Sequence, residues 1–290
     1  MSKISSVFQD LKDKNQKAFI PFITAGDGGM ELTLELMHQL VDDGASIIEL
    51  GVPFSDPMAD GPVIAKSHER SVARGYGLAN VLELVSKFRE TNDTTPIVLM
   101  GYLNPIEMFG YEDFANAARS AGVDGVLVVD MPPEESQELK RILSNSEIDF
   151  IFLVAPTTTD ERLKFLSQVA SGFIYFVSLK GVTGAGNINV DEVASNLSRI
   201  RKYISLPVGV GFGIKDGKTA KEISAKSDAI IVGSVLVSIV DEFSNDKNKL
   251  MSQMKEKSLE ISPSIKVRLN YELVRKNITY DHKCSKKEYS

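Results

Sequence analysis

Residues 47–61 read IIELGVPFSDPMADG, a short apolar strand that runs into a loop rich in proline, glycine and aspartate. The strand carries one carboxylate, Glu49, among apolar neighbours, and the loop adds Asp56 and Asp60. A strand that delivers an acid to the loop at its C-terminal end is typical of α/β enzymes. The alternative is that Glu49 is the exposed residue of an edge strand, but its neighbours are too apolar for a solvated face. The stretch therefore predicts an enzyme site around Glu49.

Apolar, strand-like runs recur eight times along the chain, and a helix-like segment follows each of them. The runs do not alternate polar and apolar residues, which predicts strands buried on both faces, as in a parallel sheet. Eight such units close naturally into a (β/α)8 TIM barrel. The main alternative is an open doubly wound sheet, which more often carries a GxGxxG motif after its first strand, and that motif is absent here. The predicted strands are 19–26, 47–51, 96–102, 125–130, 150–155, 173–178, 207–213 and 228–233.

An extra helix is predicted before the first strand, because residues 2–14 place Ile4, Val7, Phe8 and Leu11 at helical spacing. We expect residues 1–268 to form one TIM-barrel domain, since this length is usual for the fold and no low-complexity linker divides the chain. Residues 269–290 are then a polar C-terminal extension of unknown role.

Composition excludes several classes of function. The net charge of −6 over 290 residues argues against a nucleic-acid surface. The single cysteine, Cys284, permits no internal disulfide, and the three histidines (His38, His68 and His282) have no metal-ligand partner at useful spacing. The N-terminus lacks a signal-peptide core, and no apolar run approaches the roughly 18 residues of a membrane span. We expect a soluble, cytoplasmic protein that binds no metal, nucleic acid or membrane.

Glycine-containing turns follow the last three predicted strands, at Gly181–Gly184, Gly211–Gly213 and Gly233-Ser234. In barrels a phosphate commonly binds in the loops after strands seven and eight, against the N-terminus of a helix. Glycine lets backbone N–H groups approach phosphate oxygens closely, and the Ser234 hydroxyl adds a further donor. A single glycine-rich turn would mean little, but three in this order predict a phosphate site.

Strand-end side chains predict the rest of the pocket, because barrel strands deliver their C-terminal residues to one mouth. These residues make a largely apolar, partly aromatic pocket that suits a flat aromatic ligand, although each apolar one can equally be barrel core. No strand-end lysine suits a Schiff base, and Ser55 and Ser178 have no nearby histidine for a catalytic triad. Carboxylate acid–base chemistry on a phosphorylated aromatic substrate remains. The converging residues are Phe22, Glu49, Met100, Tyr102, Leu127, Val129, Tyr175 and Phe212.

The run 48–61, IELGVPFSDPMADG, closely resembles the signature of the tryptophan synthase alpha chain family. The resemblance covers about residues 1–265, and it implies a (β/α)8 barrel that cleaves indole-3-glycerol phosphate to indole and glyceraldehyde 3-phosphate. It also implies no cofactor in this chain and a partner, the pyridoxal-phosphate-dependent beta chain, in an α2β2 tetramer where indole passes through a tunnel for L-tryptophan synthesis. Further matches are PFITAG at 21–26, Tyr102 with Asn104-Pro105, Asp130 with Pro132-Pro133, GVTG at 181–184, GFGI at 211–214 and VGS at 232–234.

Such a cleavage is a retro-aldol reaction in which indole is the leaving group. Ring carbon C3 must gain a proton and the side-chain hydroxyl must lose one, and we expect Glu49 to perform both transfers from an apolar setting that raises its pKa toward neutral. We expect Asp60 to accept a hydrogen bond from the ring N–H and stabilise its growing positive charge. Tyr175 would orient Glu49 or the substrate, and Thr183 would contact Asp60 when the loop at about 180–189 closes over the mouth.

The resemblance also implies binding positions outside the reacting centre. It assigns the phosphate to the backbone groups of Gly184, Gly213 and Gly233 and to Ser234. The indole pocket would comprise Phe22, Met100, Tyr102, Leu127, Val129 and Phe212. The surface for the beta chain would include Pro53, Asp56, Pro57, Asn104 and Pro132.

Two other classes of function remain open at this point. One alternative is another phosphate-binding barrel enzyme, such as an isomerase or a stand-alone indole-releasing lyase. A stand-alone lyase would turn over rapidly without a beta chain. The other alternative is a non-catalytic subunit that only activates its partner, although the presence of both Glu49 and Asp60 argues against that.

Overall fold

The computed structural model describes residues 1–178, 189–211 and 213–262, and these residues contain eight parallel strands closed into a barrel. Each strand pairs with the next in sequence, and the last pairs with the first. The predicted barrel is therefore confirmed, and the open doubly wound sheet is wrong. The strands are β1 (Ala18–Thr24), β2 (Ile48–Gly51), β3 (Ile97–Gly101), β4 (Gly125–Val128), β5 (Asp149–Val154), β6 (Ile174–Val177), β7 (Val208–Gly211) and β8 (Ala229–Val232).

Helices surround the barrel, and their apolar faces cover the outward-facing side chains of the strands. Because the strands are covered on both faces, most of them are buried along their whole length, as the unbroken apolar runs predict. The described helices are α1 (Lys3–Asp13), α2 (Met30–Asp42), α3 (Pro62–Val72), α4 (Leu78–Arg89), α5 (Leu103–Phe109), α6 (Tyr111–Ala121), α7 (Gln137–Asn145), α8 (Asp160–Val169), α9 (Val190–Ile200), α10 (Gly217–Ser224), α11 (Ser234–Phe243) and α12 (Lys247–Ile261).

The predicted N-terminal helix, α1, closes the bottom of the barrel. Ser2 caps this helix by accepting a hydrogen bond from the Ser5 N–H, and Ile4 and Phe8 are its buried residues. Both side chains belong to the apolar cluster inside the barrel, where the Phe8 ring lies 5.8 Å from that of Phe173. In the part of the chain that the structure describes, apolar side chains thus fill the N-terminal end of the barrel interior.

Helix α5 has no counterpart among the predicted elements. It begins directly after β3, and its Pro105 lies in the first turn, where the missing proline N–H breaks no intrahelical bond. The Leu103 N–H donates to Asp130 Oδ1 at 2.8 Å, so the residue beyond β4 caps this helix. A 3-10 turn at Pro133–Glu135 precedes α7.

Two helices, α11 and α12, follow β8. Asp246 is the N-cap of α12, and its side chain accepts a hydrogen bond from the Lys249 N–H. The domain limit at residue 268 and the extension 269–290 lie outside the described residues. Among the helices that the structure describes, none combines the length and apolar character needed to cross a membrane.

Candidate active site

A cavity of about 1200 Å³ opens at the C-terminal ends of the strands. Its walls come from the loop after β2, the segments after β4 and β5, and the strand ends themselves. Met100, Val129 and Tyr175 line it, as the strand-end argument predicts, and Asp60 lies at its edge. The cavity therefore brings together members of both the predicted apolar pocket and the predicted catalytic pair.

Glu49 lies on β2 inside the barrel, one layer below the cavity. Its strand neighbours in register are Phe22 on β1 and Val98 on β3, and the residue is only 1% exposed. Neither carboxyl oxygen has a hydrogen-bond partner within the described part of the chain. Burial, with a smaller contribution from the charge of Asp60, raises the pKa of Glu49 to about 8. At neutral pH the group is therefore mostly a neutral acid that can donate a proton.

Asp60 occupies a different environment at the end of the loop after β2. Its carboxylate is 5% exposed, and its Oδ2 accepts a hydrogen bond from the Tyr102 hydroxyl at 2.8 Å. The Tyr102 hydroxyl in turn accepts from the Ala59 N–H at 3.0 Å, and its ring stacks on Phe54 at 5.1 Å. The pKa of Asp60 is raised, because the effect of burial outweighs the lowering effect of the hydrogen bond from Tyr102. The two carboxyl groups thus have different surroundings, since among the described residues Asp60 accepts a hydrogen bond and Glu49 does not.

Tyr175 on β6 lies close enough to both carboxyl groups for their charges to affect its pKa. Burial and then the charges of Glu49 and Asp60 raise its pKa well above the ordinary value, so the phenol stays neutral. The ring fits against the backbone of β7, where a Cβ added at Gly211 would overlap the Tyr175 hydroxyl. Glycine at residue 211 is therefore what admits the tyrosine to this position.

The predicted phosphate end of the site is described in part. Gly233 follows β8 and immediately precedes α11, so Ser234 is the first residue of that helix. Gly213 adopts a left-handed backbone conformation with φ of 73°, which favours glycine. Helix N-termini leave backbone N–H groups without intrahelical partners, which suits an anion. Gly184, like the predicted Thr183 contact and most of the predicted lid at 180–189, lies outside the described residues.

The predicted aromatic pocket divides into three groups. Met100 and Val129 line the cavity, and Tyr102 holds Asp60 at its edge. Phe22 and Leu127 are buried and do not line the cavity; the Phe22 ring fits between Gly51 and Gly233, where added Cβ atoms would crowd it. Their contact with indole stays a prediction, and Phe212 lies outside the described residues.

The residues predicted to meet a partner surround the same mouth. Asp56 and Asn104 are exposed, Pro57 and Pro132 are partly exposed, and Pro53 is buried. Sequence reasoning missed two exposed apolar side chains beside them, Met58 and Met108, which are each 81% exposed. Methionine next to proline in an otherwise polar loop was the available signal for Met58.

Sequence reasoning also missed the contact of His68 with Asp60, in which His68 Nε2 lies 3.5 Å from Asp60 Oδ2. It assigned no metal ligands, and the described residues contain no group of three or more His, Cys, Asp or Glu side chains that could hold a metal ion.

A neutral glutamic acid below an apolar cavity, with an anchored aspartate beside it, defines an acid–base enzyme of the (β/α)8-barrel class. The family model of the tryptophan synthase alpha chain matches residues 8–266. The alpha chain of Ruthia magnifica is 63% identical over 266 residues, which is 92% of this chain and all of that one, and the alpha chain of Marinobacter nauticus is 53% identical over 88% and 94%. This chain therefore belongs to the tryptophan synthase alpha chain family.

Solved structures agree with that assignment. The tryptophan synthase alpha subunit of Legionella pneumophila superposes with a TM-score of 0.80 at 40% identity, over 89% of this chain and 98% of that one. A chain of the tryptophan synthase α2β2 complex from Pyrococcus furiosus gives 0.77 at 38% identity, over 84% and 97%. The activity is the lyase half-reaction of tryptophan synthase, in which indole-3-glycerol phosphate is cleaved to indole and glyceraldehyde 3-phosphate.

Proposed function

We propose that Glu49 carries both proton transfers of this cleavage and that Asp60 stabilises the charge on the indole ring. The observation that carries the proposal is the unpartnered, buried carboxyl of Glu49 below the cavity. An orphaned buried acid is destabilising unless a substrate satisfies it, so its retention favours a chemical role.

The protonation states support a definite order of events. Protonated Glu49 donates its proton to ring carbon C3, which gives an indolenine. The resulting carboxylate then accepts the side-chain hydroxyl proton as the carbon–carbon bond breaks, and the bonding electrons return to the ring. Asp60, held by Tyr102, accepts a hydrogen bond from the ring N–H and stabilises the positive charge that builds there. Glu49 ends the cycle protonated, as it began.

Tyr175 would orient Glu49 or the substrate from the cavity wall, and the neutral phenol suits that role. Met100 and Val129 would contact the indole ring. At the other end, the N-terminus of α11 with Gly213, Gly233 and Ser234 would bind the phosphate through N–H groups and one hydroxyl.

Ser234→Ala tests the phosphate site. We expect the KM for indole-3-glycerol phosphate to rise about tenfold with little change in kcat, because a hydrogen bond made equally to substrate and transition state contributes only uniform binding. Steady-state indole release measures both constants. Ser238→Ala, one turn along α11, is the matched control because its hydroxyl donates to the Ser234 carbonyl. An unchanged KM in Ser234→Ala would mean that the phosphate binds elsewhere.

The partner proposed is a tryptophan synthase beta chain, in an α2β2 tetramer that passes indole to a pyridoxal-phosphate site on that chain. The Pyrococcus furiosus relative belongs to such a complex, and exposed Met58 and Met108 beside the mouth support docking there. No cofactor is proposed for this chain itself. The single-domain limit at residue 268 and the cytoplasmic location stay predictions.

Indole release by the purified chain, with and without a beta chain, tests this partnership. We expect slow release alone and an increase of at least about tenfold with the partner, within the usual range of coupling between sites. Met108→Asp should reduce the increase but not the basal rate, whereas Ser198→Asp on the exposed face of α9 should change neither. Rapid release by the chain alone would indicate an autonomous lyase, and no release in either condition would remove support for Glu49 and Asp60.

A further inference from the structure

His68 is a buried histidine beside the proposed catalytic pair. It lies on α3 and is 2% exposed. Burial lowers its pKa to about 4, so the ring is neutral at physiological pH. The Phe54 N–H donates to Nδ1 at 3.2 Å, which makes Nδ1 the acceptor of the ring. In a neutral imidazole the proton then lies on Nε2, and the backbone of the loop after β2 thereby fixes the tautomer.

The protonated nitrogen faces the carboxylate of Asp60. His68 Nε2 lies 3.5 Å from Asp60 Oδ2, a long contact that a small movement of the loop would convert into a hydrogen bond. Tyr102 donates to the same oxygen. Two donors at Oδ2 would restrict the orientation of the carboxylate and leave Oδ1 for the ring N–H that the substrate is expected to present.

We propose that His68 is a positioning residue, whose ring links the Phe54 backbone to the Asp60 carboxylate and so sets the orientation of Asp60 toward substrate. The inference rests on the charge-stabilising role proposed for Asp60. His68 itself touches neither substrate nor the reacting atoms.

Two replacements of His68 test the contributions of its two ring nitrogens separately. Glutamine can present an amide N–H near the position of Nε2 and so keeps the donor to Asp60, whereas asparagine can present an acceptor near Nδ1 and so keeps the bond from Phe54. We expect His68→Leu and His68→Asn to lower kcat about tenfold and His68→Gln to restore most of that loss, since a hydrogen bond to a charged group is at stake. Indole release at saturating beta chain is the measurement.

A matched control is His38→Leu, because His38 stacks on Phe88 on the outside of the barrel, at 4.9 Å. It should leave kcat unchanged. If His68→Leu fails to fold, as judged by thermal unfolding, the comparison of Gln with Asn still decides the matter. Equal kcat in those two variants, or wild-type kcat in His68→Leu, overturns the inference.

A double-mutant cycle with Asp60→Asn distinguishes the two levels of proposal. If His68 acts through Asp60, His68→Asn lowers kcat in the wild-type background and adds little in the Asp60→Asn background. Equal losses in both backgrounds mean that His68 acts otherwise and overturn this inference alone. Wild-type kcat in Asp60→Asn overturns the proposed role of Asp60 itself, and this inference with it.

Discussion

Glu49→Gln should abolish indole release from indole-3-glycerol phosphate. The amide has nearly the shape of the acid but neither donates a proton to carbon nor accepts one from the hydroxyl, and general acid–base catalysis contributes about 10²- to 10⁴-fold per transfer. With both transfers lost, turnover should fall to the background rate, with the beta chain present in excess. The measurement is indole formation over hours with purified variant and wild type. Near-wild-type turnover would exclude Glu49 as the proton-transfer group.

Stability measurements check that this loss is chemical. The pKa of Glu49 is about 8 in the folded chain and near its ordinary value of 4.5 in the unfolded one. Below pH 4.5 both states hold the proton. Between pH 4.5 and 8 only the folded state holds it, so this group makes the wild type less stable as pH rises through that window and leaves it so above pH 8. A glutamine side chain at this position does not titrate, so the variant lacks this pH-dependent loss of stability.

Glu49→Gln should therefore be more stable than wild type, by an amount that grows from pH 4.5 to 8 and reaches a few kcal/mol at about 1.4 kcal/mol per pKa unit. Chemical denaturation across that range measures it. Asp43→Asn is the matched control, because Asp43 is also a buried carboxyl with a pKa raised by burial but lies at the end of α2, outside the cavity. It should retain full activity.

Asp60→Asn should lower kcat/KM about 10²- to 10³-fold, the usual effect of removing one preorganised charge-stabilising group. Asparagine keeps the shape and an oxygen for the Tyr102 hydroxyl, but a neutral amide stabilises a cationic ring far less than a carboxylate does. Steady-state kinetics with excess beta chain give kcat and KM separately. We expect the loss mainly in kcat, because the ring charge develops in the transition state.

The same variant offers an internal check. The charge of Asp60 is the second cause of the raised pKa of Glu49, so its removal should lower that pKa. Loss of activity on the alkaline side should then begin at a lower pH than in wild type. The Asp43→Asn control should show neither effect, and a variant with unchanged kcat/KM would mean that another group stabilises the ring.

The barrel was predictable because a parallel sheet buried on both faces gives strands that are apolar along their whole length, a pattern that is easy to recognise in the sequence. Runs such as PIVLMGY at 96–102 are apolar throughout, and eight of them alternate with helix-like segments. Helix α1 was equally clear from Ile4 and Phe8. Helix α5 was not predicted, since a seven-residue helix with Pro105 in its first turn has little periodicity to detect.

The site was predictable only where one residue carries its own signal. Glu49 is an acid in an apolar strand, and that conflict marks it in the sequence alone. The ring of His68 carries no such mark, because its meeting with Asp60 depends on which face of α3 turns inward and on the path of the loop after β2. Tyr102 was assigned to the ring pocket, whereas its hydroxyl donates to Asp60, a contact that follows from the same loop path.

The buried side chains of Ile4 and Phe8 at the N-terminal end of the barrel bear on how protons reach Glu49. These side chains fill the N-terminal end, so in the part of the chain that the structure describes the cavity at the opposite end is the opening next to Glu49. If Glu49 performs both proton transfers as proposed, its carboxyl group gives one proton to carbon and regains one from the substrate hydroxyl within a single turnover. The proposed cycle can then repeat without net uptake of a proton from solvent, so it needs no second opening at the N-terminal end of the barrel, where Ile4 and Phe8 are buried.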